Sequence, residues 1–103
     1  MQKKKRIVNP DLLEEVSAKP CAACFRMPSD PHHVTTKGAG GDDVPENVMP
    51  LCREHHQLWH KMGAGEMIRR FVNVKYWLER NERQDILDRV TKTEKEDPQY
   101  LGF

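Results

Sequence analysis

Apolar residues recur at helical spacing near the start of the chain. Leu12, Leu13 and Val16 fall on one face of the segment that follows Pro10. Proline is common at the first position of a helix, where its missing N–H has no partner to lose. The pattern therefore predicts a short helix within residues 9–19.

A longer pattern of the same kind lies in the C-terminal part of the chain. The segment GAG, which begins at Gly63, interrupts the helical pattern, and a new one opens after it. Its apolar positions recur at steps of three and four residues: Met67, Ile68, Phe71, Val74 and Leu78. A second stripe consists of Ile86, Leu87 and Val90. The sequence therefore predicts two further helices in residues 63–103, which pack on the rest of the protein.

The central part of the chain, residues 20–62, places short apolar segments between turn-forming ones. The segment DPHHV is followed by the glycine-rich TTKGAGGDDVPEN, by the apolar VMPL and then by a helical pattern. This order predicts two short strands joined by a loop and followed by a helix. With the flanking residues 1–19 and 63–103, the whole chain is predicted to form one small α+β domain.

Composition indicates that this domain needs more than apolar burial to stay folded. The chain has 103 residues, of which 32% are charged, so its apolar core is small. Its three cysteines and five histidines all lie between Cys21 and His60, and this clustering favours metal binding over disulfides. No apolar run is long enough to cross a bilayer, which favours a cytoplasmic protein without membrane contact.

The formal net charge of +1 does not indicate a particular partner. Locally, Lys3, Lys4, Lys5 and Arg6 form a basic arm. Such an arm is either a solubilising N-terminus or a segment that grips phosphate groups. The charge pattern alone favours the first interpretation.

Two ligand pairs predict a closed zinc site. Cys21 and Cys24 are separated by two residues, and so are Cys52 and His55. This spacing lets both members of a pair reach one tetrahedral ion from a tight turn. Four protein ligands leave no open position, so the predicted zinc is structural. Its binding free energy of about 10–16 kcal/mol at neutral pH would explain how so polar a chain stays folded.

The remaining histidines predict a second site. His56 and His60 are four residues apart and share one face of a helix, whereas His55 points about 100° away from His56. Such a pair needs a third ligand from elsewhere in the chain. The neighbours His32 and His33 point to opposite faces of an extended segment, so one of them can bind the same ion.

These elements, in this order, resemble the HNH endonucleases, a family with the ββα-metal or His-Me finger fold. The resemblance covers residues 21–62 and is carried by PHHV, Gly40 and Gly41, ENVMPLC with Asn47, and HHQLWH. The CxxC and CxxH pairs look like the zinc knuckles that brace many members. The resemblance implies a ββα-metal core braced by the Cys3His site, flanked by N- and C-terminal helices, in a small stand-alone nuclease of phage type.

The resemblance also implies roles for individual side chains. His33 matches the general base that takes a proton from the attacking water, and Asn47 matches the residue whose amide holds this base in position. His32, His56 and His60 match the ligands of a catalytic divalent metal, which would neutralise charge on the phosphate and on the leaving 3′ oxygen. The implied reaction is hydrolysis of phosphodiester bonds in DNA.

The ligand set departs from the family pattern at one position. Many members have an aspartate where His32 stands, and an all-imidazole set favours Mn²⁺, Ni²⁺, Co²⁺ or Zn²⁺ over Mg²⁺. Asp30 lies two residues upstream on the same strand face, and it is a second candidate for this ligand. Lys37, Arg53 and Lys61 flank the expected site and are candidates for phosphate contacts.

Two classes of function remain open at this point. A single catalytic centre in a small chain predicts nicking of one DNA strand, with low sequence specificity, by a monomer or weak dimer. The alternative is a zinc-stabilised nucleic-acid-binding module without catalytic activity, which leaves His33, His56 and His60 without a role. Replacement of His33 distinguishes the two, because only the enzyme needs this side chain.

Overall fold

The computed structural model describes the backbone of residues 5–96 and the side chains of residues 5–90. Lys3 and Lys4 of the predicted basic arm and residues 97–103 of the predicted C-terminal extension lie outside the described residues. The elements are α1 (Pro10–Ser17), β1 (Asp30–His33), a 3₁₀ helix (Lys37–Ala39), β2 (Val48–Leu51), α2 (Arg53–Arg70), α3 (Val72–Arg80) and α4 (Gln84–Glu96). The described chain is thus a small α+β fold with a two-stranded sheet and four α-helices. None of these helices is long and apolar enough to span a membrane.

The predicted N-terminal helix is confirmed as α1. The side chain of Asn9 caps this helix, because it accepts a hydrogen bond from the backbone N–H of Leu12 at 3.1 Å. Pro10 occupies the first helical position. Leu12 and Val16 are buried and pack against Val48 of β2. The helix therefore covers one side of the strand pair.

The predicted order of strand, loop, strand and helix is also confirmed. β1 and β2 pair in antiparallel fashion, with His32 opposite Met49 and His33 opposite Val48. Successive side chains of a strand point to opposite faces, and Met49 accordingly belongs to the main core whereas Val48 packs against α1. The register thus places the two neighbouring histidines of β1 in different surroundings.

The main core includes cysteines of the CxxC and CxxH pairs together with residues of the C-terminal helices. Its buried members include Cys21, Met49, Leu51, Cys52, Trp59, Met67, Val74, Trp77, Leu78, Ile86 and Leu87. These residues come from the first ligand pair, β2, α2, α3 and α4. The helices after residue 63 therefore pack on the same core as the metal-ligand pairs.

The C-terminal helical pattern is divided differently from the prediction. Gly63 interrupts α2 with a φ of 85°, a left-handed conformation that favours glycine, so the expected break is confirmed. The pattern after it does not form one helix, because Phe71 is extended and α3 begins at Val72. A straight helix would place Leu78 roughly 16 Å along its axis from Met67. The second break lets both of these side chains, each 0% exposed, enter the core.

Gly41 permits a close approach of backbone in the loop between β1 and β2. A Cβ atom at this position would overlap with the backbone carbonyl oxygen of Thr35. We expect Gly41→Ala to lower the free energy of unfolding by about 1–3 kcal/mol, because the backbone must shift to relieve the overlap. Urea denaturation followed by circular dichroism measures this loss.

Gly38→Ala is the matched control for this substitution. Gly38 lies in the same loop, and a Cβ atom there would meet no atom within 4 Å. We therefore expect its stability to stay within about 0.5 kcal/mol of the wild type. Equal destabilisation by both substitutions would contradict the steric explanation.

Candidate metal centres

The first candidate centre brings the CxxC and CxxH pairs together. The ligand atoms of Cys21, Cys24, Cys52 and His55 all lie within 4.8 Å of one another. The Sγ atoms of Cys24 and Cys52 are 3.8 Å apart, and Nδ1 of His55 lies 3.1 Å from Sγ of Cys52. The four residues predicted from spacing are thus assembled, and they can hold a metal such as zinc.

The distances fit a tetrahedral zinc ion. Zn–S bonds of about 2.3 Å place two tetrahedral sulfur ligands about 3.8 Å apart, and a sulfur and a nitrogen ligand about 3.5 Å apart. The separation of the Cys24 and Cys52 sulfurs is 3.8 Å. The two sulfur–nitrogen separations, from His55 to Cys52 and to Cys21, are 3.1 and 3.8 Å and lie on either side of the second value.

Backbone hydrogen bonds hold the two ligand turns in place. The N–H of Phe25 donates to the carbonyl oxygen of Cys21 at 2.8 Å. The N–H of Cys21 donates to the carbonyl oxygen of Arg26 at 2.9 Å. The N–H of Ala22 donates to the carbonyl oxygen of Pro50 at 2.7 Å. Because Pro50 lies in β2, just before Cys52, this contact fixes the first ligand pair against the second.

Burial and hydrogen bonding shift the thiol pKa values in opposite directions. Burial raises the pKa of Cys52, and the adjacent thiols of Cys24 and Cys21 raise it further. Burial alone would also raise the pKa of Cys21. Hydrogen bonds from the backbone of Cys52, Cys24 and Ala23 outweigh this effect and lower the pKa of Cys21. A thiolate is the form that binds metal, so the lowered pKa of Cys21 favours metal binding, whereas the raised pKa of Cys52 opposes it.

The second candidate centre lies where β1 faces α2. The ligand atoms of His32, His56 and His60 lie within 4.8 Å of one another. The Nε2 atoms of His56 and His60, one helical turn apart, are separated by 3.2 Å. Two imidazole nitrogens that bind one ion at 2.0–2.1 Å lie about 2.8–3.4 Å apart. The pair predicted from the i, i+4 spacing therefore has the separation of two ligands of one metal.

His32 is the most buried member of this cluster, with 4% of its surface exposed. Its Nε2 atom is buried and has no hydrogen-bond partner in the described part of the chain, although buried polar atoms are nearly always paired. Burial, together with the nearby imidazoles of His56, His60 and His33, lowers the pKa of His32 to about 3. The ring is therefore neutral at neutral pH, which is the form that binds metal, and a bound cation would satisfy the orphaned nitrogen.

Asp30, the second candidate for a ligand, lies beside this cluster and not within it. Its Oδ2 accepts a hydrogen bond from Nδ1 of His56 at 3.1 Å and another from Arg53 at 2.9 Å. The Arg53 hydrogen bond lowers the pKa of Asp30, so the ionised carboxylate accepts the Nδ1 proton and leaves the Nε2 lone pair of His56 free. Asp30 thus contacts one of the candidate ligands, whereas His32 lies within the cluster itself.

His33 lines the same groove as the three clustered histidines. The groove has a volume of about 330 Å³ and is bordered by Pro31, His32, His33, Thr36, Lys37, His56 and His60. Nε2 of His33 lies 2.6 Å from Oδ1 of Asp43, a carboxylate whose side chain is 1% exposed. The candidate general base and the second ligand cluster therefore share one surface of the protein.

Asn47 holds the loop between the strands, which corrects its expected contact with the general base. Its amide oxygen accepts from the N–H of Thr35 at 2.8 Å, and its amide nitrogen donates to the carbonyl oxygens of Thr35 and Asp42 at 3.1 and 3.0 Å. Within residues 5–90, the ring of His33 instead donates a hydrogen bond to Oδ1 of Asp43. The buried Asn47 amide thus joins the two ends of a loop, because the backbone there needs hydrogen-bond partners.

The three basic residues expected to contact phosphate have different surroundings. Lys37 is exposed and borders the histidine groove. Lys61 is exposed on α2, next to His60. Arg53 exposes 76% of its side chain but pairs with Asp30, so its charge is locally compensated. Of these three basic residues, Lys37 is therefore the one that borders the histidine groove.

Three polar residues near the site have partners that the sequence pattern did not predict: Asp43, Arg6 and Arg83. Arg83 donates to Oδ1 of Asn47 and to Oγ1 of Thr35, each at 2.8 Å, and so ties the start of α4 to the loop between the strands. Asp42 and Asp43 directly follow Gly41 in the sequence, and this pair could have indicated a carboxylate in the loop. No local sign marks Arg83, which lies 36 residues from Asn47.

Comparison with known proteins adds relatives of unknown function. Residues 1–65 match the family model described as "Protein of unknown function (DUF968)", and this span contains both ligand clusters. The chain is also similar to the uncharacterized protein YdfU of Escherichia coli (strain K12), with 34% identity over 85 residues. The match covers 71% of this chain and 24% of YdfU, so the chain spans about a quarter of the length of this relative. No solved structure gives a significant match.

Proposed function

Because the chain belongs to the DUF968 family, which is described as of unknown function, we propose its activity from its own ligand clusters. We propose a metal-dependent HNH endonuclease with a ββα-metal fold, which hydrolyses phosphodiester bonds in DNA. The observation that carries the proposal is the convergence of His32, His56 and His60 at a groove that His33 also lines. In this proposal, the Cys3His cluster holds a structural zinc ion.

The two clusters differ as structural and catalytic metal sites differ. The Cys3His cluster supplies four protein ligands, and Cys21 and His55 within it are buried. The histidine cluster offers three candidate ligands, and His60 is exposed, so a divalent metal held there would have open positions for a phosphate oxygen. Imidazole ligands favour Mn²⁺, Ni²⁺ or Zn²⁺, and Mg²⁺ is a less suitable occupant.

The proposed reaction uses His33 as the general base. When bound, the metal supplies positive charge that stabilises the phosphate and the leaving 3′ oxygen. His33 accepts a proton at Nδ1 from a water molecule, whose oxygen bonds to phosphorus as the bond from phosphorus to the 3′ oxygen breaks. The 3′ oxygen takes a proton from solvent, which leaves a 5′-phosphate and a 3′-hydroxyl end. Lys37, beside the groove, contacts a substrate phosphate.

The proposed partner is DNA, by the resemblance to HNH endonucleases, and the protein acts as a monomer or weak dimer. One catalytic centre in each chain cuts one strand in each encounter, so the product is a nick. The phosphate contacts position the enzyme without reading bases, so the sequence specificity is low.

Replacement of His60 tests the ligand assignment. We expect the wild type to bind two metal ions per chain and His60→Ala to bind one, because the substitution removes a ligand from the histidine cluster only. The exposed position of His60 leaves the core unchanged. Metal content by mass spectrometry after reconstitution measures this difference. Gln57→Ala, on an exposed position of the same helix, is the matched control and should keep two ions.

Cleavage of supercoiled plasmid tests the activity. The protein, reconstituted with one equivalent of zinc so that only the Cys3His cluster is filled, is incubated with Mn²⁺, Ni²⁺ or Mg²⁺, or with no added metal. We expect open circles only with added metal, at a rate that is about 100- to 1,000-fold lower for His60→Ala. Prompt linear product would indicate a dimer or paired nicks. Intact plasmid with every metal, while the folded protein still shifts DNA in a gel, would refute the enzyme and favour the binding module.

A further inference from the structure

Asp43 is a buried carboxylate to which the proposed reaction assigns no role. Its side chain is 1% exposed. It accepts hydrogen bonds from Nε2 of His33 at 2.6 Å, from Nη1 of Arg6 at 2.7 Å and from the backbone N–H of Asn9 at 2.8 Å. Burial of a charge is unfavourable unless the charge is paired and hydrogen-bonded. The complete set of donors therefore fixes the carboxylate in one position.

We propose that Asp43 is the positioning residue of the general base His33, and that residues 6–9 form a strap that holds Asp43 in place. The inference rests on the proposed nuclease activity, because His33 is a base only in that reaction. Neither Asp43 nor the strap was expected from the sequence, which assigned the positioning role to Asn47.

The contact with Asp43 determines which nitrogen of His33 carries the proton. An ionised carboxylate only accepts hydrogen bonds, so the Nε2 atom facing Asp43 must donate one. In a neutral imidazole, the other nitrogen, Nδ1, then holds a free lone pair. Because His33 borders the histidine groove, this lone pair is available to a water molecule in the groove. Rotation of the ring would break the 2.6 Å contact with Asp43.

The strap fixes both oxygens of the carboxylate. Arg6 and His33 share Oδ1 of Asp43, whereas the N–H of Asn9 binds Oδ2. The N–H of Asp43 donates to the carbonyl oxygen of Ile7 at 2.9 Å, and the N–H of Ile7 donates to Oδ1 of Asp42 at 2.8 Å. The side chain of Arg6 is 23% exposed and faces this carboxylate, so this member of the basic arm supports the site from within.

Asp43→Asn tests the positioning role with little change in size. All three partners of Asp43 are donors in the wild type, and an amide has only one oxygen to accept from them. In one orientation the NH₂ group faces the N–H of Asn9, and in the other it faces Arg6 and Nε2 of His33, so the neutral amide no longer fixes a single tautomer of His33. We expect kcat for plasmid nicking to fall about 10- to 100-fold, with KM within twofold of the wild type.

Two variants separate positioning from stability. Asp42→Asn keeps an oxygen for the N–H of Ile7 and should leave kcat unchanged, because the Asp42 side chain does not contact His33. Arg6→Gln removes the ion pair with Asp43 but keeps the contact between Asp43 and His33. We therefore expect Arg6→Gln to lower the unfolding temperature and to lower kcat less than Asp43→Asn does, because the carboxylate still accepts from Nε2 of His33. A parallel fall of kcat and stability in Arg6→Gln and Asp43→Asn would overturn the proposal in favour of a structural role.

The tautomer of His33 gives a readout that does not depend on activity. In ¹⁵N-histidine-labelled, zinc-loaded protein, with the His33 signals assigned by their loss in His33→Gln, we expect a protonated Nε2 in the wild type and a changed tautomer in Asp43→Asn. A wild-type ring protonated at Nδ1, or the same tautomer in both proteins, would overturn the proposal. A wild type with the expected tautomer that cuts no DNA would refute the nuclease and leave the positioning contact established.

Discussion

Removal of the metal from the Cys3His cluster is expected to unfold the protein. This cluster lies in the main core, where Cys21 is 0% exposed and Cys52 is 7% exposed. Zinc binding supplies about 10–16 kcal/mol in small zinc domains, whereas whole domains are stable by about 5–15 kcal/mol. A chain with 32% charged residues has little apolar burial to replace that contribution. We therefore expect a strong chelator to abolish the helical circular dichroism signal, and added zinc to restore it.

Cys24→Ser tests the same point without a chelator. Cys24 is the least buried of the three cysteines, so a hydroxyl group is tolerated there. Any loss of stability in this variant therefore reflects the missing metal ligand. We expect no cooperative thermal transition and no stoichiometric zinc in this variant. His60→Ala, which changes only the histidine cluster, should keep both the transition and one bound zinc. A Cys24→Ser protein that, even with EDTA present, shows the cooperative thermal transition of the zinc-bound wild type would contradict the structural role.

Replacement of His33 is expected to have the largest effect on activity. We expect His33→Ala to lower kcat for nicking by about 100- to 10,000-fold, the range for loss of a general base, with little change in KM. Folding should persist, because Asp43 keeps its hydrogen bonds from Arg6 and Asn9. Plasmid nicking under single-turnover conditions, with circular dichroism as a folding control, measures this effect.

Metal content separates this loss from the loss of a ligand. His33→Ala should retain two metal ions per chain, whereas His60→Ala should retain one. Added imidazole should partly restore nicking by His33→Ala, because it supplies a free base of the same kind in the groove. If His33→Ala nicks DNA at the wild-type rate, or if this variant loses one metal ion, His33 is not the base.

Much of the local structure follows from short stretches of sequence. The segment around Asn9 and Pro10 predicts α1 because a cap and the first helical position depend only on neighbouring residues. The i, i+4 spacing of His56 and His60 brings their Nε2 atoms to 3.2 Å through helix geometry alone. The separation of two residues within each ligand pair likewise predicts which four residues can hold zinc.

The helix boundaries after residue 63 show where periodicity is insufficient. The spacing from Met67 to Leu78 fits a continuous helix, and the break at Phe71 has no glycine or proline to announce it. The break arises because Met67, Val74 and Leu78 must all reach one small core. Burial in a shared core is a tertiary requirement, and it overrides the local pattern.

The sequence by itself determined the strand–loop–strand–helix order and the ligand pairs of the two candidate metal centres, since these depend on the spacing of nearby residues. The tertiary structure decided which polar groups support them. Asp43 binds His33 and Arg6, Asp30 binds His56, and Asn47 binds the loop instead of the ring. Several of these partners lie tens of residues apart, and their contacts depend on the path of the loop and of the N-terminal strap. Buried polar atoms must find partners, but only the folded chain determines which partners are within reach.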